Sequence, residues 1–232
     1  MFFSLSPNDL RIREYEYNAE GTLTLDLFNE YKAGKLEKGG KTIKVFDSHS
    51  NLLSTTFQQN RGGQFFNTYR TLYTYDEAHQ LIETVQQDWV YIFPKRDWQN
   101  TRQQLFEYNA NGQVSKVITN QWSDNEWVTQ NIKQSTYNEN GDLTYNSEIY
   151  CNETGCKLSR EAIYEYDGMY NLVFQATRGE TSNRAGQFID STLTEFSYHT
   201  NGQLAYQKDS SIIRDKYISS DTFMINSLSE AH

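Results

Sequence analysis

The chain has 232 residues, of which 37% are hydrophobic and 15% aromatic, and it carries a formal net charge of −9. Lys and Arg are scattered rather than clustered, so there is no basic footprint for phosphate, which argues against nucleic acid as a partner. No apolar run approaches the roughly eighteen residues of a transmembrane helix. The stretch from Thr129 to Ser135 likewise offers no alternating lipid-facing row for a membrane barrel.

The opening, Met1-Phe2-Phe3-Ser4-Leu5-Ser6-Pro7, lacks the charged start, apolar centre and cleavage site of a signal peptide. Either the export signal is absent from this chain or the protein is not exported. From there an aromatic residue returns at Tyr17, Phe46, Tyr75, Tyr108, Tyr137, Tyr166 and Tyr198, with intervals of 29, 29, 33, 29, 29 and 32 residues. Six residues after each anchor stands an aliphatic side chain: Leu23, Leu52, Leu81, Val114, Leu143, Leu172 and Leu204. Such self-similarity marks a tandem repeat array.

Between anchor and aliphatic residue the chain reads, for example, Asn18-Ala19-Glu20-Gly21, Asn109-Ala110-Asn111-Gly112 and Asn138-Glu139-Asn140-Gly141. Asn or Asp first and Gly fourth predict a type I turn closed by a left-handed bulge residue, with anchor and aliphatic residue facing each other across two antiparallel strands. Ser50, His79 and Tyr170 stand at the Gly position in the other copies, so those turns either carry a steric cost for positive φ or use another geometry.

A second, looser turn is predicted 14 to 19 residues past the anchors, flanked by Tyr31/Leu36, Asn60/Phe65, Trp122/Trp127, Cys151/Cys156 and Ile212/Tyr217. Loop insertions of four and three residues give Trp89/Trp98 and Glu180/Phe188 and account for the long intervals. In the fourth repeat Phe106, Tyr108, Val114, Ile118 and Trp122 are expected on one face.

The expected fold is therefore all-β: about seven tandem β-hairpin repeats forming one repeat domain over residues 1–232, in a long antiparallel meander. A twisted sheet of about fourteen strands should curl, coil or close.

Cys151 and Cys156 are the only cysteines and enclose the second turn Asn152-Glu153-Thr154-Gly155. Facing cross-strand positions suit a disulfide, which would imply an oxidising compartment. Two free thiols in an aromatic slot, or a redox or metal role, are the alternatives. The four tryptophans, Trp89, Trp98, Trp122 and Trp127, share one offset in consecutive repeats and should gather at one edge of the sheet. They either hold the hairpins as cross-strand pairs or form an exposed platform for a sugar ring or a protein partner.

The recurring pattern in Tyr15-Glu16-Tyr17-Asn18-Ala19-Glu20-Gly21-Thr22-Leu23 and Tyr164-Glu165-Tyr166-Asp167 resembles the tyrosine–aspartate (YD, or RHS-type) repeats. The longer unit with tryptophans at its second turn is similar to tandem repeats of secreted and surface proteins of Bacteroidota. The resemblance covers about residues 10–220, and the period of about 29 departs from the shorter YD unit. It implies β-hairpin repeats and an extracellular scaffolding or binding role, and no catalytic residue.

No nucleophile elbow, phosphate-binding loop, paired-His zinc motif or dinucleotide fingerprint occurs in the sequence. His49, His79 and His199 occupy turn positions, and Asp124 and Glu126 lie in a solvated turn. The expectation is a non-enzymatic extracellular or cell-surface scaffold, with no cofactor or metal, that binds carbohydrate or protein through its aromatic hairpin ends. The alternative is a glycan-active enzyme whose carboxylates converge only in the fold.

Overall fold

The computed structural model describes residues 11–32, 35–183 and 186–214, and all the regular structure among them is β-strand. Fourteen strands follow one another in one sheet whose spatial order is the chain order. They are β1 (Arg11–Tyr17), β2 (Leu23–Lys32), β3 (Lys35–Phe46), β4 (Leu52–Arg61), β5 (Gln64–Tyr75), β6 (Leu81–Ile92) and β7 (Lys95–Tyr108). There follow β8 (Val114–Ser123), β9 (Glu126–Tyr137), β10 (Leu143–Asn152), β11 (Gly155–Tyr166), β12 (Leu172–Asn183), β13 (Gly186–Tyr198) and β14 (Leu204–Arg214). The meander is open, since the order does not return from β14 to β1. The predicted pair Ile212/Tyr217 lies partly outside the described residues.

The strands fall into two compact units. One comprises the described residues up to Lys133 together with Cys151–Gly155, and the other comprises Gln134–Tyr150 and the described residues from Cys156 onward.

The first turns follow the sequence pattern. In each of the seven, the fourth residue donates its N–H to the carbonyl of the first, as Gly21 does to Asn18 and Tyr170 to Asp167. The left-handed position is filled by Gly21, Gly112, Gly141 and Gly202, and equally by Ser50, His79 and Tyr170, at φ 67°, 61° and 65°. These three copies keep the same turn and carry the steric cost. What holds them is the first residue of the turn. Asp47 Oδ1 accepts the N–H groups of His49 and Asn51, and Asp167 Oδ1 those of Met169 and Asn171, as Asn109 and Asn138 do in the glycine copies. The anchors pair with their aliphatic partners as the repeat predicts, Tyr75 with Leu81 and Tyr108 with Val114 among them.

Beside the anchors Tyr17, Phe46, Tyr75, Tyr108, Tyr166 and Tyr198 the register slips by one residue. Glu107 pairs with Lys116 but Tyr108 with Val114, leaving Ser115 as a bulge. Because side chains alternate with period two, one extra residue reverses the faces beyond it. Phe106 therefore lies opposite Val117, and Leu105 opposite Ile118. The expected apolar row of the fourth repeat is thus split: Phe106, Tyr108 and Val114 share one face, while Ile118 and Trp122 lie on the other. A second slip in the far half of the hairpins leaves Gly39, Thr68 and Thr101 as extra residues.

The second turn is the tighter one, not the looser. Only Gly62 and Gly63 separate β4 from β5, and Asp124 and Asn125 separate β8 from β9; all four have positive φ, the signature of a type I′ hairpin. Nor are the long repeats made by widened loops. Trp89 pairs with Trp98, and the added residues continue the ladder through Val90/Asp97, Tyr91/Arg96 and Ile92/Lys95 to a two-residue turn at Phe93-Pro94. In the sixth repeat Phe188 pairs with Thr181, one residue away from the expected Glu180.

Conventional core is scarce. Among the described residues the buried hydrophobic ones are Cys151, Ala162 and Ala176, and no large side chain is fully buried. The hairpins are instead joined edge to edge by their anchors. The Tyr75 hydroxyl donates to the Leu52 carbonyl, Tyr108 to Leu81, Tyr166 to Leu143 and Tyr198 to Leu172, each reaching the aliphatic position of the preceding repeat at 2.8–3.2 Å. Burial raises the Tyr75 and Tyr166 hydroxyls above the ordinary phenol range. On β2–β5 an aromatic row adds to this, Phe28 stacking with Phe57 at 6.2 Å and Phe57 with Tyr69 at 5.1 Å. The first two rings lie over the backbone of Gly40, where a Cβ would come within 2.8 Å of both.

Two predictions follow from the turns. Tyr170 is 62% exposed and sits at φ 65°, so Tyr170→Gly removes strain without removing much packing. It should raise stability by about 0.5–1 kcal/mol, seen as a higher urea midpoint. The second concerns Asp167, whose carboxylate is held below the ordinary carboxylate range first by the Asn171 side-chain amide and then by backbone N–H groups. A depressed native pKa gives stability that is present above the unfolded-state value of about 4 and is lost as pH falls through the native one. Asp167→Asn, which keeps the acceptor oxygen, should leave the neutral-pH midpoint nearly unchanged and flatten its fall below about pH 4.

Candidate functional site

The site candidates lie toward the second turns: Trp122 and Trp127 stand next to the ends of β8 and β9 at the turn of the fourth repeat, and Trp89 and Trp98 three ladder pairs short of the turn of the third. Trp89 and Trp98 are cross-strand partners with ring centroids 5.0 Å apart and an edge-on angle of 64°. Trp122 and Trp127 repeat the arrangement at 4.8 Å and 70°. Each pair is worth about 0.5–1.5 kcal/mol beyond its burial. All four rings are only half-buried, so each pair keeps ring surface toward solvent. Arg70 lies over the Trp98 ring, its guanidinium carbon 4.5 Å from the centroid, and burial lowers its pKa.

Both pairs lie on one face of the sheet, as a row of polar side chains shows. Gln103 of β7 donates to Glu83 of β6 and accepts from Asn120 of β8 at 2.7 Å. Glu83 alternates along β6 with Gln87 and Trp89, and Asn120 alternates along β8 with Trp122, so strand alternation carries both tryptophan pairs to the side of Gln103. A second string of bonds lies beside this one, and Thr129 extends the first. Arg70 Nε donates to Gln87 Oε1 at 2.6 Å, Gln87 to Asn100 at 2.7 Å, and Thr129 to Asn120 at 2.9 Å. One repeat earlier, Gln58 donates to Asn67 at 2.7 Å.

This amide row is the feature that reading the sequence for aromatics missed. Its signal was available: Asn29, Gln58, Gln87 and Asn120 each stand 12 residues past an anchor, at Tyr17, Phe46, Tyr75 and Tyr108. Asn29 and Asn120 are buried, and Asn29 donates to Glu14, so the row satisfies polar groups that the sheet would otherwise strand.

Cys151 and Cys156 occupy the tryptophan offset of the next repeat and are joined in a disulfide. Cys151 is buried and Cys156 exposed.

His49 and His79 meet at neighbouring first turns with centroids 4.7 Å apart, and the His79 ring nitrogen lies 3.0 Å from the Asn51 amide. A cleft of about 510 Å³ opens nearby, lined by Asn18, Glu20, Lys44 and Asp47 among others. It lies between first-turn residues and the adjoining ends of β2 and β3, and is lined by none of the tryptophans. Among the described residues no group of three or more His, Cys, Asp or Glu is placed to hold a metal ion. The described residues contain no helix that is long and apolar enough to cross a membrane, which says nothing of a strand-built barrel.

No protein-family model matches the chain, and no curated protein matches it. Among solved structures it is similar to a DUF3836 family protein from Bacteroides vulgatus, with 20% identity, TM-score 0.31, and coverage of 38% of this chain and 89% of that one. It is also similar to a protein of unknown function from Bacteroides fragilis, with 13% identity, TM-score 0.36, and coverage of 69% and 94%. A TcdB2-TccC3 structure matches 87% of this chain but only 14% of its own, with 13% identity and TM-score 0.29. At these TM-scores the likenesses carry no function to this chain.

The disulfide closes a short loop, so the chain-entropy gain is modest. Reduction, or Cys151→Ala with Cys156→Ala, should cost about 2 kcal/mol in unfolding free energy. Non-reducing mass spectrometry should find the chain lighter by two hydrogens and without alkylatable thiol.

Proposed function

We propose that the chain is a non-enzymatic extracellular or cell-surface scaffold whose tryptophan-bearing face binds carbohydrate. The observation that carries this reading is the adjacency of two half-exposed tryptophan pairs to a row of side-chain amides on the same face. Sugar rings have apolar C–H faces and hydroxyl edges, and a ring surface beside oriented amides meets both. Glu83 and Arg70 add a charged acceptor and donor at the edge of the row. The disulfide supports an oxidising, exported setting. The YD-like repeat resemblance supports a surface scaffold in the same way.

Binding of the wild-type chain to a glycan array, followed by calorimetry on the best ligand, tests this. Trp122→Ala and Trp98→Ala should each weaken binding tenfold or more while the chain remains folded by circular dichroism. Trp127→Phe, which keeps a ring, should lose less. A wild type that binds a surface protein but no glycan would replace carbohydrate by a protein ligand. Binding of glycan undiminished in both alanine variants would overturn the tryptophan face as the site.

A further inference from the structure

The outer end of the third hairpin differs from those of the second and fourth in length and in chemistry. β5 and β6 are laddered from Tyr75/Leu81 to Tyr69/Asp88, and β7 and β8 from Tyr108/Val114 to Arg102/Gln121, so the stretch from Trp89 to Trp98 is laddered within its own hairpin. Trp89/Trp98 is followed by three further pairs, Val90/Asp97, Tyr91/Arg96 and Ile92/Lys95. In the second repeat the equivalent pair Asn60/Phe65 is followed by one, Arg61/Gln64, and in the fourth only Ser123 and Glu126 stand between the tryptophans and the turn. Two extra pairs lengthen the third hairpin by about 7 Å at the usual strand rise. The turns of the second and fourth hairpins are Gly62-Gly63 and Asp124-Asn125, whereas Tyr91, Ile92, Phe93, Pro94, Lys95 and Arg96 form an exposed run at the third. Tyr91 is 61% exposed, Ile92 46% and Phe93 84%. Cross-strand partners share a face, so Tyr91 stands beside Arg96 on one face and Ile92 beside Lys95 on the other, with Phe93 at the apex. Each face of the tip thus carries one apolar side chain and one cation.

We propose that this tip seats the protein on a phospholipid bilayer, with Tyr91, Ile92 and Phe93 in the boundary between headgroups and acyl chains and Lys95 and Arg96 at the phosphates. A protein surface meets one side of a hairpin and leaves the other in water. A bilayer surrounds an inserted tip and offers both faces the same boundary, apolar ahead and phosphate behind, which is what the apolar and basic pair on each face requires. The long stems of Lys and Arg let an apolar side chain enter the boundary while the charge reaches back to the headgroups. Lys95 already points that way, its Nζ lying 2.8 Å from the carboxylate of Asp97, which stands further from the apex. The chain's net charge of −9 repels the remainder of the molecule from anionic headgroups and leaves the tip as the side that approaches. The contact is peripheral and spans nothing. It is independent of the carbohydrate reading, because the exposed run lies beyond the Trp89/Trp98 pair.

Co-sedimentation of the full chain with phosphatidylcholine vesicles, and with vesicles of phosphatidylcholine and phosphatidylglycerol, tests this. The wild type should bind both. Phe93→Ser should weaken binding to both about tenfold or more. Arg96→Gln should weaken binding to the mixed vesicles about fivefold and, at raised salt, no longer differ from the wild type. Met169→Ser removes a 59% exposed apolar side chain from a first turn and should leave vesicle binding unchanged. All three variants should keep the circular dichroism of the wild type. A polarity-sensitive dye on Ile92→Cys, whose new thiol is the free one, should shift to the blue when vesicles are added. A wild type that sediments with neither vesicle overturns the inference and leaves the tip to a protein partner. Vesicle binding that Phe93→Ser and Ile92→Ser together leave unaltered, or a dye that does not shift on bound protein, overturns it as well.

Discussion

The structure depends on one recurring contact, the hydroxyl of an anchor tyrosine on the aliphatic carbonyl of the hairpin before it. A sheet with few buried hydrophobic residues has to draw its order from backbone pairing and from what clamps neighbouring hairpins in register. A bulge stands beside the anchors at these positions, and the carbonyl of the aliphatic residue next to it accepts from the tyrosine hydroxyl. Tyrosine fits the role because its hydroxyl reaches across to the neighbouring strand. Phe46 has no hydroxyl and cannot make the bond, so the joint between β2 and β3 is held without it.

The two faces of the sheet are supplied differently. One carries the anchors and, on β2–β5, the stacked aromatic row over Gly40. The other carries the amide row and the tryptophan pairs. A half-buried amide bonded to a second amide is satisfied yet keeps lone pairs and N–H groups in reach of solvent, which an aliphatic layer does not. The same side chains that make the sheet self-consistent are therefore the ones equipped to meet a polar ligand. In the disulfide copy a covalent bond takes the place of a ring pair at the same offset, so this position serves hairpin closure first.

Much of this was legible without coordinates. The aromatic interval located every first turn, and the Asx-to-Gly spacing gave their geometry, because both follow from local backbone chemistry that a few residues specify. Even Ser50, His79 and Tyr170 obey it, since the Asp that opens each of those turns is sufficient to hold the left-handed residue. The amide row was legible in principle, through its fixed offset from the anchors, but polar residues in strands read as solvent-facing until their partners are known.

The sequence by itself determined the number of repeats, the all-β class, the tight turns and the cross-strand meeting of Trp89 with Trp98 and of Cys151 with Cys156, all set by spacing along one hairpin. Only the tertiary structure decided which face each side chain occupies, because one bulged residue such as Ser115 reverses the alternation beyond it and leaves no mark in the composition. It also decided that the added residues of the third repeat lengthen strands rather than loops. Backbone pairing continues for as long as both strands remain extended, and the sequence around Tyr91 and Arg96 permits a loop as readily as a ladder.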